Sequence, residues 1–129
     1  MRKSIAFLPA MALLAACSSQ PPRQPQPMAP AGDPLSCIQT NRIRSTQIVD
    51  DQTVDFRMSD GTILRNTLPN NCPGLRMANA FSYSSSQPRL CSVDVIRVLN
   101  TSGGPRLGAA CGLGQFVPVK PAGENAPAG

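Results

Sequence analysis

The chain has 129 residues, enough for one small domain plus its ends, and a formal charge of +5 from 12 Lys and Arg against 7 Asp and Glu. It contains no His and no Trp, and only one Tyr and four Phe. This composition argues against a His-based active site, a zinc site and a surface that stacks nucleic-acid bases. We therefore expect no cofactor, no metal ion and no nucleic-acid partner.

The first predicted element is a secretory leader at residues 1–16. Arg2 and Lys3 begin it, and the apolar run from Ile5 to Ala16 follows. The run is too short to cross a bilayer, which needs about 20 residues. A positive start, a short apolar run and small residues before a cleavage point are typical of a signal peptide, which we expect to be helical before its removal.

The end of the leader, Leu14-Ala15-Ala16-Cys17, resembles the bacterial lipobox, in which the cysteine becomes the first mature residue and carries acyl chains. This resemblance implies that Cys17 is lipidated and that the acyl chains hold the protein on a membrane. Two or three chains anchor a protein stably, whereas one chain does so only marginally. Ser18 stands where an Asp would retain the protein at the inner membrane, so the implied location is the outer membrane, on its periplasmic face. The alternative is a plainly secreted protein.

The ends of the mature chain are predicted to be extended or disordered. Six of the 14 residues from Pro21 to Pro34 are proline, which favours an extended chain. We therefore predict a lipid-anchored linker at residues 17–36 and a disordered tail at residues 120–129. The folded domain is expected at residues 37–119.

The domain is predicted to be all-β. Residues 53–58 alternate so that Val54, Phe56 and Met58 share one face, and the SDG sequence at 59–61 predicts a hairpin. Further strands are expected at residues 43–49, 62–68, 80–84, 90–99 and 111–119, with a bulge or burial on both faces near Val95, a helical turn at 75–80 and a loop at 100–108. We predict a small antiparallel barrel or sandwich of five to six strands, with at most one short helical turn.

Four cysteines remain for the domain, at positions 37, 72, 91 and 111. An even set in an exported domain predicts two disulfides, and four cysteines allow three pairings. We favour Cys72–Cys91, because Cys72 leaves the third strand where the strand that starts with Cys91 would return. We favour Cys37–Cys111, because closure of a barrel would bring the two ends of the domain together.

A set of residues spread over the domain carries a family resemblance: Cys37, Ile43-Arg44-Ser45, Val49-Asp50-Asp51, Arg65-Asn66, Cys72-Pro73-Gly74-Leu75, Leu90-Cys91, Asp94 and Cys111. The set resembles an uncharacterised family of short proteobacterial lipoproteins, defined only as a domain of unknown function. The resemblance covers roughly residues 37–119 and the lipobox. It implies export and paired cysteines, but no activity. Members often carry an aromatic residue at the position of Leu64.

The unusual side chains of the domain are its eight Arg, with no Lys. Arg makes forked contacts with carboxylates and phosphates, so an anionic lipid or an acidic envelope protein is a possible partner. The alternative is that the Arg side chains pair with Asp on solvated strand faces. The candidate contacts with an anionic partner are Arg42, Arg44, Arg57 and Arg65.

Two polar clusters are interpreted as structural. Asp50 and Asp51 are expected to face water or to cap backbone amides in a turn, rather than to act as acid–base groups or to hold Ca²⁺. The chain contains no His that could act as a base for Ser84, Ser85 and Ser86, so these residues are expected to form a polar loop.

We therefore expect a non-enzymatic cell-envelope lipoprotein that binds a partner or has a structural role. The alternative is a small-ligand-binding barrel, and a hydrolase is the least favoured possibility.

Overall fold

The structure, a computed structural model, describes residues 27–122. The predicted leader and its helix, Cys17, the first half of the predicted linker and residues 123–129 lie outside the described residues. A short helix, α1 (Leu75–Ala78), and a 3-10 turn at Thr40–Arg42 accompany the strands, and no helix within 27–122 is long and apolar enough to cross a membrane. The strands are β1 (Met28–Pro30), β2 (Cys37–Gln39), β3 (Ile43–Asp50), β4 (Thr53–Met58), β5 (Ile63–Thr67), β6 (Phe81–Tyr83), β7 (Arg89–Cys91), β8 (Val95–Asn100), β9 (Arg106–Gly112) and β10 (Phe116–Pro121).

The strands form three antiparallel sheets. The largest has the order β1-β10-β5-β4-β3, a second pairs β2 with β7, and a third has the order β6-β8-β9. The core lies between the first and third sheets, since the Phe56 ring of β4 meets the Phe81 ring of β6 edge-on at 6.2 Å between centroids. The Phe56 ring also meets the Phe116 ring of β10 at 5.4 Å. The predicted all-β antiparallel fold with two disulfides is confirmed, and the helical turn predicted at 75–80 is present as α1, accompanied by a second, unpredicted turn at Thr40–Arg42.

The alternation predicted for β4 is also confirmed. Val54 and Phe56 are wholly buried, and Met58 is nearly so. Asp55 and Arg57 therefore project from the opposite side, the outer face of the five-stranded sheet.

The folded domain starts earlier in the chain than the predicted linker allowed. Strand β1 pairs with β10, and the N–H of Leu35 donates to the carbonyl of Phe116 at 2.7 Å. Strand β10 continues to Pro121, inside the predicted tail. Proline is tolerated in an edge strand such as β1, which explains why a proline-rich segment can still pair.

The predicted strand at 90–99 is divided into β7 and β8. Asp94 makes the break, because its carboxylate accepts the N–H of Cys91 at 2.7 Å and its own N–H donates to the Cys91 carbonyl at 2.9 Å. The register shift of this region lies between Arg97 and Leu99 of the β8–β9 pair. The strand predicted at 111–119 is likewise divided between β9 and β10, so the strands outnumber the five or six predicted.

The disulfides are Cys37–Cys91, with 4.0 Å between Cα atoms, and Cys72–Cys111, with 5.8 Å. The favoured pairing, Cys72–Cys91 with Cys37–Cys111, is wrong. Because the Asp94 turn keeps Cys91 on β7, Cys91 lies directly opposite Cys37 of β2. Cys111 lies opposite the buried Ile96 and so faces the core, where the wholly buried Cys72 meets it.

Candidate functional site

The outer face of the five-stranded sheet carries three of the four Arg side chains predicted as anion contacts. Arg57 and Arg65 project from it by the alternation of β4 and β5, in which their neighbours Phe56 and Leu64 point into the core. The polar face of the sheet is thus a direct consequence of the apolar pattern that builds the core.

Arg65 is neutralised within the sheet. It lies opposite Asp55 in the register, and its Nε and Nη2 donate to the two carboxylate oxygens at 2.8 and 2.9 Å. Both side chains are largely shielded from solvent, 26% and 12% exposed. The hydrogen bonds to Asp55 raise the pKa of Arg65 above its ordinary value. Arg65 is therefore engaged in a forked ion pair and is not a free anion contact.

Arg44 and Arg57 are the cations that this face leaves available. Ile43 pairs with Met58 and Ser45 pairs with Arg57, so a bulge leaves Arg44 unpaired and exposed next to the Ser45–Arg57 pair. Within residues 27–122, neither Arg44 nor Arg57 forms a salt bridge. We call Arg44 and Arg57 together the arginine face.

Arg42 lies elsewhere, at the edge of a cleft. It belongs to the 3-10 turn before β3 and lines the cleft together with Asp60. The backbone and side chain of Thr62 lower the pKa of Asp60 by hydrogen bonding, and the charge of Arg42 lowers it further. The four predicted Arg residues therefore do not form one site.

The cleft is an open cavity of about 330 Å³ between the β4–β5 hairpin and β2. Ile38, Met58 and Leu64 supply apolar walls, and Arg42 and Asp60 supply the charged rim. Its volume lies near the lower limit for ligand pockets, about 300 Å³. The sequence carries no local signal for it, because residues far apart in the chain line it.

The chain belongs to a family of unknown function, DUF6491. The family model matches residues 1–121, from the first residue of the sequence to the last residue of β10. No curated protein and no solved structure matches the chain. Membership in DUF6491 therefore assigns no activity.

The two polar clusters identified in this DUF6491 sequence, the Asp pair and the Ser run, form hydrogen bonds with backbone groups. Asp50 accepts the N–H of Gln52 at 2.8 Å, and Asp51 accepts the N–H of Arg76 at 2.8 Å, so both carboxylates cap amides as expected. The Ser85 hydroxyl lies 2.8 Å from the carbonyl oxygen of Gln87. In the part of the chain that the structure describes, no group of three His, Cys, Asp or Glu side chains could hold a metal ion.

Asn66 is a polar residue whose role the sequence interpretation missed. It is wholly buried, its amide donates to the carbonyl of Gly114 at 2.7 Å, and its Oδ1 accepts the Gly114 N–H at 2.8 Å. The side chain thus replaces a strand partner for Gly114 and is satisfied. Its position inside an alternating strand, where an apolar residue is expected, is the signal that could have identified it.

Proposed function

We propose that this DUF6491 chain is a lipid-anchored protein of the cell envelope, attached through Cys17 and acting by binding rather than by catalysis. The observation that supports this most is that all four domain cysteines form disulfides with each other. Such bonds persist in oxidising compartments and are rare in the cytosol. The pairing leaves Cys17, at the lipobox, with no partner among those four.

The location that we propose is the periplasmic face of the outer membrane. Because β1 starts at Met28, the segment between Cys17 and the folded domain can reach at most about 35 Å. The domain then works close to the lipid surface, within reach of headgroups.

Lipidation is tested by metabolic labelling with a clickable palmitate in a Gram-negative host. The wild type and a Ser19→Ala control should carry the label, and Cys17→Ser should not. Separately, Ser18→Asp should move the protein to the inner-membrane fraction. Label that persists in Cys17→Ser contradicts the anchor, and an unchanged fractionation of Ser18→Asp contradicts the outer-membrane assignment.

The partner that the arginine face fits is an anionic headgroup layer. Arg44 and Arg57 are exposed and lack an ion pair in the described range, whereas Arg65 is neutralised by Asp55. A cation near an anionic membrane contributes about 1 kcal/mol. The arginine face would therefore hold the domain flat against the membrane to which its lipid attaches.

This binding is tested with the mature chain carrying Cys17→Ser, so that no lipid contributes. Phosphatidylcholine vesicles with and without phosphatidylglycerol are the probes. Replacing Arg44 and Arg57 by Gln should lower partitioning to the anionic vesicles by roughly tenfold or more. Asp55→Asn should increase it, because Arg65 becomes available. Equal binding of all variants, or binding that does not change when phosphatidylglycerol is added to the vesicles, would contradict the proposal that the arginine face binds anionic headgroups.

A second candidate function is the binding of a small amphipathic anion in the cleft. The supporting observation is the combination of apolar walls with Arg42 at the rim. Decanoate is a suitable probe: it should raise the melting temperature of the wild type, and Arg42→Ala should abolish the increase. An unchanged melting temperature of the wild type removes this candidate.

A further inference from the structure

Strand β9 is a long edge strand whose last residues, Ala110 to Gly112, contain no bulge, charge or proline; its one bulge lies before them, between Leu107 and Ala110. It forms the border of the β6-β8-β9 sheet and has seven residues, Arg106 to Gly112. After Arg106 it contains neither a charge nor a proline. The other long edge strand, β3, has two register shifts and packs against α1, and its Val49 carbonyl accepts a hydrogen bond from the Arg76 side chain. Such bulges, charges and covers are what prevent edge pairing.

The hydrogen-bonding groups of this edge can be located from the register. The N–H of Leu113 donates to the carbonyl of Asp94 at 3.0 Å, next to the pairs Val95–Gly112 and Ile96–Cys111. Hydrogen-bonded and non-hydrogen-bonded pairs alternate in an antiparallel ladder. The backbone groups of Gly112 and Ala110 therefore point away from β8. Within residues 27–122, no backbone group outside the sheet bonds to them.

The surface next to this edge is apolar around one cation. Val95 and Leu107 are 49% and 60% exposed, and they line a depression of about 490 Å³ together with Arg97 and Tyr83. Arg97 forms no salt bridge in the described part of the chain.

The side chains between β8 and the free edge are small. Ala110 lies opposite Arg97, and Gly112 lies opposite Val95. A Cβ added at Gly112 would meet no atom within 4 Å. The edge therefore offers open backbone, an apolar surface and an unpaired guanidinium side by side.

We propose that β9 is the docking site for an extended segment of an acidic partner protein, which adds to the sheet as a further strand. Strands lie about 4.8 Å apart, so the added strand runs roughly 10 Å from β8. A Glu opposite Ala110 can then reach across the small methyl group to Arg97. Residues two positions before and after it lie on the same face, near Val95 and Leu107, and would be apolar.

Charge complementarity favours a different protein over a second copy of this chain. Strand β9 contains no Asp or Glu, so β9 pairing with a second β9 would offer Arg97 no carboxylate. Main-chain hydrogen bonds supply affinity in such strand addition, and the alternating side chains supply specificity. The site is on a different sheet from the arginine face and does not depend on membrane binding.

The test uses the mature chain with Cys17→Ser and a fluorescent peptide, acetyl-Thr-Val-Thr-Glu-Thr-Val-Thr-amide. We expect binding by anisotropy, with NMR shift changes at the amides of Ala110 and Gly112. Arg97→Glu should weaken binding by about tenfold or more, because a charge-assisted hydrogen bond contributes roughly 1.5–3 kcal/mol. The same variant should prefer a peptide with Lys in place of Glu. Lys120→Glu, which changes the charge equally on β10, should leave affinity unchanged.

A second variant addresses the backbone. Ala110→Pro removes an N–H that faces the free edge and leaves the bonds to β8 in place, so it should reduce binding about tenfold. Disulfide mapping and the melting temperature show whether it folds, and Arg97→Glu decides the question if it does not.

Three results would overturn the proposal. The first is that the wild type does not bind the Glu peptide, or that both variants bind it as well as the wild type does. The second is that the chain dimerises as its concentration rises and Ala110→Pro prevents dimerisation, because β9 would then pair with a second copy. The third is that the peptide binds only after deletion of residues 123–129, because the chain's own end would then occupy the edge.

Discussion

At the scale of single residues, Asn66 and Gly114 illustrate how a polar group can stand in a small core. The Asn66 side chain and the Gly114 backbone each donate one hydrogen bond to the other, at 2.7 and 2.8 Å. A buried polar group that loses its partner costs about 1–3 kcal/mol. The pair therefore fixes the segment between β9 and β10 against β5, beside the core residue Phe116.

Asn66→Ala removes both partners of Gly114 at once. We expect a loss of about 2–4 kcal/mol in the free energy of unfolding, because one N–H and one carbonyl remain unpaired. Urea denaturation with intact disulfides measures it. Asn71→Ala, at an exposed position, is the matched control and should change stability by less than about 0.5 kcal/mol. Equal stability of the two variants would show that water satisfies Gly114.

Gly114 is required for a second reason, the close approach of β5. A Cβ at this position would overlap the carbonyl oxygen of Thr67, a backbone atom that cannot rotate away. Gly114→Ala should therefore destabilise the domain by about 3 kcal/mol or more. Gly112→Ala, where a Cβ meets nothing within 4 Å, is the comparison and should be close to neutral. Thermal unfolding of both variants distinguishes steric overlap from a general sensitivity of strands to this substitution.

At the scale of elements, the ionised carboxylate of Asp60 accepts a hydrogen bond within the turn of the β4–β5 hairpin. The N–H of Thr62 donates to this carboxylate at 2.9 Å and is the main reason that its pKa lies below the ordinary 3.8. Because the folded protein lowers the pKa, ionised Asp60 stabilises the fold above the unfolded pKa. This contribution is lost as the pH falls through the lowered pKa.

The pH dependence of an Asp60 variant follows. Asp60→Ala should be less stable than the wild type at neutral pH, and the difference should shrink as the pH falls below 3.8. Asp60→Asn keeps a neutral acceptor for the Thr62 N–H, so its difference from Asp60→Ala should not vary with pH. Urea midpoints between neutral and acid pH measure both. A difference between wild type and Asp60→Ala that stays constant to low pH would exclude this carboxylate as the cause.

Strands could be predicted from the sequence where a local alternation of apolar and polar residues marks them. The alternation of Val54, Phe56 and Met58 suffices to predict β4, because one face of that strand is packed and the other is solvated. The break between β7 and β8 was missed, because two local hydrogen bonds between Asp94 and Cys91 interrupt an apolar run. Strand β1 was missed because its partner β10 lies about 90 residues away in sequence. The separation of Arg65 from Arg44 and Arg57 likewise depends on cross-strand register.

At the scale of the whole molecule, each disulfide joins two segments that the strand pairing has already placed side by side. Cys37–Cys91 ties β2 to β7, and Cys72–Cys111 ties the segment after β5 to β9. The sequence could predict that four cysteines pair, because their even number and the predicted leader suffice for that expectation. The pairing itself required the strand order, which the turn at Asp94 changes.

The two disulfides should differ in their resistance to reduction. They close loops of similar size, with separations of 54 and 39 residues, so each contributes about 4 kcal/mol on the chain-entropy model. Their surroundings differ: Cys37 and Cys91 are both partly exposed, whereas Cys111 is partly buried against the core and its partner Cys72 is wholly buried. Because a reducing thiolate must reach a sulfur atom, dithiothreitol should open Cys37–Cys91 first in the native state and Cys72–Cys111 more slowly.

Timed alkylation followed by peptide mapping measures this order. In native buffer, carbamidomethylated Cys37 and Cys91 should accumulate first, and modified Cys72 and Cys111 should follow more slowly. In strong denaturant both bonds should be reduced at similar rates, which is the internal control for intrinsic reactivity. The species with only Cys72–Cys111 intact should remain folded but lose about 4 kcal/mol, a large part of the 5–15 kcal/mol typical of a domain. Reduction of Cys72–Cys111 first, or of both bonds together in native buffer, would mean that β9 and the segment around Cys72 open more readily than β2 and β7.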